Sequence, residues 1–164
     1  MKTIMSLVVV LALFISACES EDHRSAAYAE KCRDAERKGA QEIAEQLCQS
    51  AWFDVDSSRL PAEIQSERLY DLGRIKRQLG KYAEAEALIR EALAVEETVS
   101  GRTSPVYGRL LVELSLDLAG QAKWVEGAVF LEPVLQIADR FPERAASAPV
   151  SLTRNHAVYG ILMS

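Results

Sequence analysis

Three prolines recur along this chain at a constant interval of 44 residues, at Pro61, Pro105 and Pro149. Each follows a short polar or small-residue segment and opens a pattern of helical periodicity, which suits proline because the first N–H groups of a helix have no intrahelical acceptor. Tyr82 and Trp124 lie 42 residues apart, and each follows a lysine and opens a second helical pattern. A unit of two helices that repeats every 42–44 residues predicts an α-solenoid.

The composition favours the same fold class. Ala, Leu, Glu, Arg and Gln are abundant after residue 17, whereas β-branched and aromatic residues are sparse, so an all-α fold is expected. The chain has 164 residues, which suits one domain.

The first seventeen residues have the composition of a secretory signal. Lys2 supplies a short cationic region, and the segment Ile4 to Ile15 is apolar apart from Ser6. This run is shorter than the roughly 20 residues that a membrane-spanning helix needs. We therefore expect residues 1–17 to be removed from the mature chain.

The residues at the end of this segment, Ile15-Ser16-Ala17-Cys18, resemble the lipobox of bacterial lipoproteins. The resemblance implies cleavage before Cys18 and acylation of that cysteine (diacyl glyceride and palmitate), with residues 18–24 as a tether. It also implies a cell-envelope location, and Glu19 after the cysteine favours the outer membrane facing the periplasm. An ordinary signal peptide with a cysteine at its cleavage site is the alternative.

The segment from Ser66 to Val99 resembles a tetratricopeptide repeat (TPR), and its length of 34 residues is that of the family unit. The residues that match the family pattern with correct spacing are Leu69, Leu72, Gly73, Gly80, Tyr82, Ala85, Ala92 and Leu93. The longer period is similar to the 42-residue variant of kinesin light chains. The resemblance implies a TPR-like α-solenoid of antiparallel helix pairs over residues 25–164, with about three repeats and a terminal helix. Pro133 lies inside the last second helix and is expected to kink or break it.

The register of this resemblance places Cys32 and Cys48 at facing positions of the first helix pair. It therefore implies a disulfide between them, in keeping with an oxidising compartment. Two buried free thiols are the alternative.

TPR proteins bind peptides through the first helix of each unit. In this chain the corresponding positions are occupied by Arg33, Arg37, Tyr70, Arg74, Arg77, Arg109, Val112 and Leu116, together with Glu36, Glu67, Gln78, Arg154 and Ile161. Such a basic strip suits an acidic peptide segment or a C-terminal carboxylate, because guanidinium groups bind carboxylates bidentately. The alternative, that these arginines are solvated or paired with glutamates such as Glu36 and Glu67, stays open.

Several function classes are disfavoured. The net charge of −5 becomes −6 once residues 1–17, which contain Lys2 and no acid, are removed, and the absence of a Lys/Arg run argues against nucleic-acid binding. No phosphate loop, nucleophile elbow or metalloprotease motif occurs, so neither an enzyme nor a cofactor is expected. The two histidines and the cysteines lack metal-site spacing. The glutamates at 84, 86, 91 and 96 are interpreted as a solvated face, with an ion pair between Glu86 and Arg90.

These observations indicate a lipid-anchored periplasmic TPR lipoprotein that acts as a protein-binding scaffold. One alternative is a self-associating structural module that forms a homodimer through the apolar C-terminal helix, which carries Val158, Tyr159 and Ile161. Another is an accessory subunit of a pilus, secretion or outer-membrane assembly system, or of the peptidoglycan machinery.

Overall fold

A computed structural model of the chain describes residues 21–140, which form α-helices joined by short turns and contain no β-strand. Residues 21–37 are helical and are called α1. The helices that follow are α2 (Gln41–Phe53), α3 (Ala62–Gln78), α4 (Tyr82–Val99), α5 (Pro105–Gly120), α6 (Trp124–Val129) and α7 (Leu131–Arg140), with a 3₁₀ turn at Ser57–Arg59. The all-α prediction is confirmed over this range.

Helices pair with their neighbours in antiparallel hairpins: α1 with α2, α3 with α4, and α5 with the broken helix α6–α7. The predicted starts of the second helices at Tyr82 and Trp124 are confirmed, as is Pro105 at the start of α5. Ser104 caps α5, because its Oγ accepts a hydrogen bond of 3.0 Å from the N–H of Tyr107. Pro61 immediately precedes α3. Pro149, the signal segment, Cys18 and the proposed terminal helix lie outside the described residues.

The three hairpins turn in the same way. In each, one N–H bonds the carbonyl three residues back, and the next N–H bonds the carbonyl five residues back, which is the Schellman motif. Gly39 and Gly80 supply the left-handed residue in the first two turns, with φ of +75° and +74°. Ala122 holds the same position in the third turn with φ of 60°, a conformation that the sequence pattern did not reveal.

Pro133 interrupts the last second helix, as predicted. Helix α6 ends at Val129 and α7 begins at Leu131, so Pro133 lies in the first turn of α7 rather than inside a continuous helix. A proline ring conflicts with the carbonyl four residues earlier, which here belongs to Val129. The break between α6 and α7 therefore lies next to the carbonyl with which the proline ring would clash in a continuous helix.

Small residues allow the helices of the second hairpin to approach closely. A Cβ atom on Gly73 would lie 2.9 Å from Cδ1 of Ile89, and Ala85 and Ala92 are fully buried. The main apolar core lies between the second and third hairpins and includes Leu69, Ile89, Leu110, Leu114 and Leu118. A smaller core joins the first hairpin to α3 through Cys32, Ala35, Ala44, Leu72 and Ile75.

A polar contact between second helices repeats from hairpin to hairpin. The Nζ of Lys81, just before α4, lies 2.7 Å from a carboxylate oxygen of Glu45 in α2. The Nζ of Lys123, just before α6, lies 3.2 Å from Glu86 in α4. Burial works to raise the pKa of Glu45, but hydrogen bonds from Lys76 and Lys81 outweigh burial and lower it. These lysine–glutamate contacts therefore connect each hairpin to the next near its turn.

The structure corrects two expectations. Residues 21–24, assigned to a tether, are helical and belong to α1. Arg24 donates to the carbonyl of Asp54, and Glu21 accepts from the N–H of Asp56. These two side chains fasten the start of the described helix to the end of the first hairpin. Glu96 is not on a solvated face: it is only 3% exposed and accepts a hydrogen bond from Ser104. The ion pair between Glu86 and Arg90 is present at 2.8 Å.

Cys32 and Cys48 form a disulfide that closes the first hairpin, with a sequence separation of 16 residues. Both residues are buried in the smaller core. Replacing both cysteines with alanine is expected to lower the free energy of unfolding by about 3 kcal/mol, because the unfolded chain regains the entropy of an open loop of this length. Urea unfolding of the oxidised protein and of the double variant measures the difference. Equal unfolding midpoints would show that the bond contributes nothing.

Candidate protein-binding face

The predicted groove residues on α1, α3 and α5 recur at spacings of three or four, with adjacent pairs at 36–37 and 77–78, so each set occupies one face of its helix. Contacts between successive first helices join the sets into one surface. We call it the first-helix face, and within the described residues it comprises Arg33, Glu36, Arg37, Glu67, Tyr70, Arg74, Arg77, Gln78, Arg109, Val112 and Leu116.

Between α1 and α3 the arginines bind carboxylates. Arg33 lies 3.4 Å from Glu67 and 3.3 Å from Asp71. Arg74 binds both carboxylate oxygens of Glu36, and its Nη2 lies 2.7 Å from Oε2. Burial works to raise the pKa of Glu36, but hydrogen bonds from Arg74 and Gln78 outweigh it, and the pKa is lowered. Glu36 is therefore held as a carboxylate.

Between α3 and α5 a single guanidinium serves two carboxyl groups. Arg77 donates to Glu113 at 2.8 and 3.1 Å, and its Nε lies 3.7 Å from Oδ1 of Asp117. The Asp117 side chain is 1% exposed, and neither of its oxygens has a hydrogen-bond partner among the residues that the structure describes.

The electrostatics of this cluster favour a proton on Asp117. Burial raises the pKa of Asp117 to about 8. The positive charge of Arg77 acts to lower this pKa, and the negative charges of Glu113 and Glu86 act to raise it. Two buried carboxylates beside one cation would leave an uncompensated negative charge. Asp117 is therefore neutral at pH 7, and Arg77 pairs chiefly with Glu113.

Arg109 differs from the other arginines of the face. Its Cζ lies 4.3 Å from the centre of the Tyr70 ring, which Arg74 also approaches at 5.8 Å. Arg109 is exposed, and no carboxylate in residues 21–140 lies within ion-pair distance of it. Val112 and Leu116, one and two turns further along α5, are half-buried. The α5 end of the face thus combines an available cation with apolar side chains.

The sequence left open whether the arginines of the first-helix face are available to a ligand or are paired with carboxylates, and the answer differs along the face. Arg33, Arg74 and Arg77 are paired with carboxylates of the neighbouring helix, and Arg37 pairs at 3.2 Å with Asp34 of its own helix. Among the described arginines of this face, only Arg109 combines exposure with the lack of a carboxylate partner in residues 21–140. Sequence reasoning did not single out the acids Asp71, Glu113 and Asp117. The sequence did contain one indication of these acids. Asp71 and Glu113 each directly follow a predicted groove residue, and they lie 42 residues apart.

The first hairpin also carries a cleft, which shares Arg37 with the first-helix face. This cleft of about 630 Å³ opens between the end of α1 and the start of α2, with charged side chains around an apolar floor. Its lining residues are Glu30, Lys31, Asp34, Ala35, Arg37, Lys38, Ala40, Ile43 and Leu47. It does not adjoin the Tyr70–Arg109 pair.

In residues 21–140 no group of three or more His, Cys, Asp or Glu side chains is arranged to hold a metal ion. None of the helices in this range has both the length and the apolar content needed to cross a bilayer. Comparison with protein-family models and with curated proteins finds no match.

Proposed function

We propose that this chain is a lipid-anchored protein of the bacterial cell envelope in which TPR-like hairpins form a short solenoid that binds a protein partner. The observation that carries the proposal is the continuity of the first-helix face, whose successive helices are joined by Arg33–Asp71, Arg74–Glu36 and Arg77–Glu113 contacts. The same Schellman turn in three hairpins supports a repeated unit. On this proposal the protein is a scaffold and not an enzyme.

The location rests on the N-terminal sequence. Cleavage before Cys18 would leave three residues between the acylated end and position 21, where the chain is already helical. Such a segment reaches about 10 Å, so the start of α1 would lie close to the membrane surface. Labelling cells with an alkyne fatty acid tests this part. We expect labelled protein in the outer-membrane fraction and none with Cys18→Ala; label that persists in this variant would contradict the proposal.

Partner binding is tested in detergent-solubilised envelopes with the lipidated full chain as bait. A partner that binds the first-helix face should be lost when Val112 and Leu116 are both replaced by asparagine, because the apolar contact area is removed. Ala83→Asn, at an exposed position on α4, is the matched control. Thermal melts of both variants establish that they are folded. Capture that is equal for wild type and for the double variant would contradict binding at this face.

A second candidate function, self-association, is favoured by exposed apolar side chains on α6. Trp124, Val125 and Val129 are 47%, 82% and 67% exposed. Apolar side chains grouped in this way are a feature of interaction surfaces. Sedimentation of the purified mature chain carrying Cys18→Ser separates the two functions. A molecular mass that remains that of one chain over a hundredfold range of protein concentration would contradict self-association. A stable dimer would favour self-association over the scaffold.

A further inference from the structure

We infer that Arg109 and Tyr70 form a subsite for a single acidic side chain of the partner, and that the neighbouring partner side chains are apolar. This inference rests on the proposed function and names the chemistry of the partner. It replaces the expectation of an acidic run, which the composition of the face had suggested.

The Arg109 side chain is prepared to bind a carboxylate. Its guanidinium stacks on the Tyr70 ring at 4.3 Å, an attraction that uses the face of the ring and leaves the N–H groups available. Tyr70 is half-buried and packs against the main core, so the platform under the guanidinium is fixed. Restricting an arginine before binding reduces the entropy lost when the complex forms. A planar guanidinium can then donate two parallel hydrogen bonds to one carboxylate.

The remaining arginines of the face are not available for further acids. Arg33 already binds Glu67 and Asp71, Arg74 binds Glu36, and Arg77 binds Glu113. Arg37 pairs with Asp34 of its own helix. A partner carboxylate at any of these positions would have to displace an internal one and would meet its negative charge. An acidic run along the face is therefore disfavoured, and only the position next to Arg109 favours a negative charge.

The surroundings of Arg109 indicate what flanks the acid. Val112 and Leu116 follow it along α5 at intervals of three and four residues, which places them on the same side of the helix. Both are half-buried, so apolar surface adjoins the cation. A segment that carries one aspartate or glutamate beside aliphatic or aromatic side chains satisfies both features.

The experiment selects peptides from a phage library of random twelve-residue sequences displayed with no free C-terminal carboxylate. The target is the lipidated full chain in detergent. Affinities of the selected peptides are then measured for wild type, Arg109→Gln and Tyr70→Leu. Arg102→Gln is the control, since Arg102 is exposed, lies in the loop before α5 and outside the first-helix face, and pairs with Glu97.

We expect selected peptides to contain one acid among apolar residues. Their affinity should fall about tenfold or more with Arg109→Gln, the usual effect of losing a charge-assisted hydrogen bond, and should change less than about twofold with Arg102→Gln. Replacing the acid of the peptide by its amide should give the same loss in wild type and no further loss in Arg109→Gln.

The other outcomes overturn the inference in distinguishable ways. Peptides that bind Arg109→Gln as well as wild type but lose affinity for the Val112→Asn/Leu116→Asn variant would overturn the subsite and leave the face as a binding site. Selection of no peptide that depends on Val112, Leu116 or Arg109 would overturn the subsite and the proposed function together. Binding to phosphatidylglycerol vesicles that depends on Arg109, without peptide binding, would assign the arginine to a lipid phosphate and overturn the subsite.

Discussion

Replacing Asp117 with asparagine is expected to raise the free energy of unfolding by on the order of 5 kcal/mol at pH 7.5. The Asp117 side chain is 1% exposed, and burial raises its pKa from 3.8 to about 8. Between these two pH values the folded protein holds a proton that the unfolded chain releases. The free energy of unfolding of the wild type therefore falls as the pH rises through this range, and asparagine, which has no proton to lose, removes that fall.

Urea unfolding at pH 5.0, 6.5 and 8.0 measures the effect, with the exposed Glu91→Gln as the control for loss of one acid. The carboxylates whose pKa values are lowered, such as Glu36 and Glu86, are present in both proteins, so the pH dependence that they contribute cancels in the difference between variant and wild type. The difference between variant and wild type should grow with pH. A variant less stable than wild type by the same amount at all three pH values would show that Asp117 is ionised and paired with Arg77.

Replacing Arg77 with methionine is expected to lower the free energy of unfolding by about 3–5 kcal/mol, because it leaves the largely buried carboxylate of Glu113 without a cation. The side chains of Arg77 and Glu113 are 17% and 10% exposed, and two hydrogen bonds join them. Methionine keeps much of the apolar packing of the arginine stem, so the loss reports the charge. Chemical unfolding at pH 7 gives the magnitude.

Two further variants separate electrostatics from packing in this cluster. Adding Glu113→Gln and Asp117→Asn to Arg77→Met should restore most of the lost stability, since no buried charge then remains. Arg37→Met, which breaks an exposed pair with Asp34, should cost less than about 1 kcal/mol. If Arg77→Met costs no more than Arg37→Met, Arg77 does not hold the α3–α5 contact and is available to a ligand.

The helices and their ends were predictable because their signals are local. Tyr82 and Trp124 begin second helices, and Pro133 interrupts one, for reasons contained within a few neighbouring residues. The cysteine pairing followed from the register of a repeat, which places two distant residues at facing positions. Ala122 escaped prediction because the third turn forms the same hydrogen bonds as the others without the glycine that usually marks them.

The charged residues were harder to interpret, because their partners lie on other helices. Arg77 resembles a free groove residue in the sequence, and its pairing with Glu113 across 36 positions depends on how closely α3 and α5 pack. Glu96 follows the pattern of a solvent-facing glutamate, yet the loop that carries Ser104 covers it. Helical periodicity identifies the face on which a charge lies, and the contact between helices decides whether that charge remains available.

Photo-crosslinking in intact cells tests most directly the claim that the first-helix face binds a protein partner. A photoreactive residue at position 112, beside Arg109, is compared with one at position 83 on the exposed side of α4. We expect one discrete adduct to a different protein from position 112, which is lost with Arg109→Gln and absent from position 83. Adducts only between copies of this chain, or none from position 112 in protein shown to be folded and present in the envelope, would contradict it.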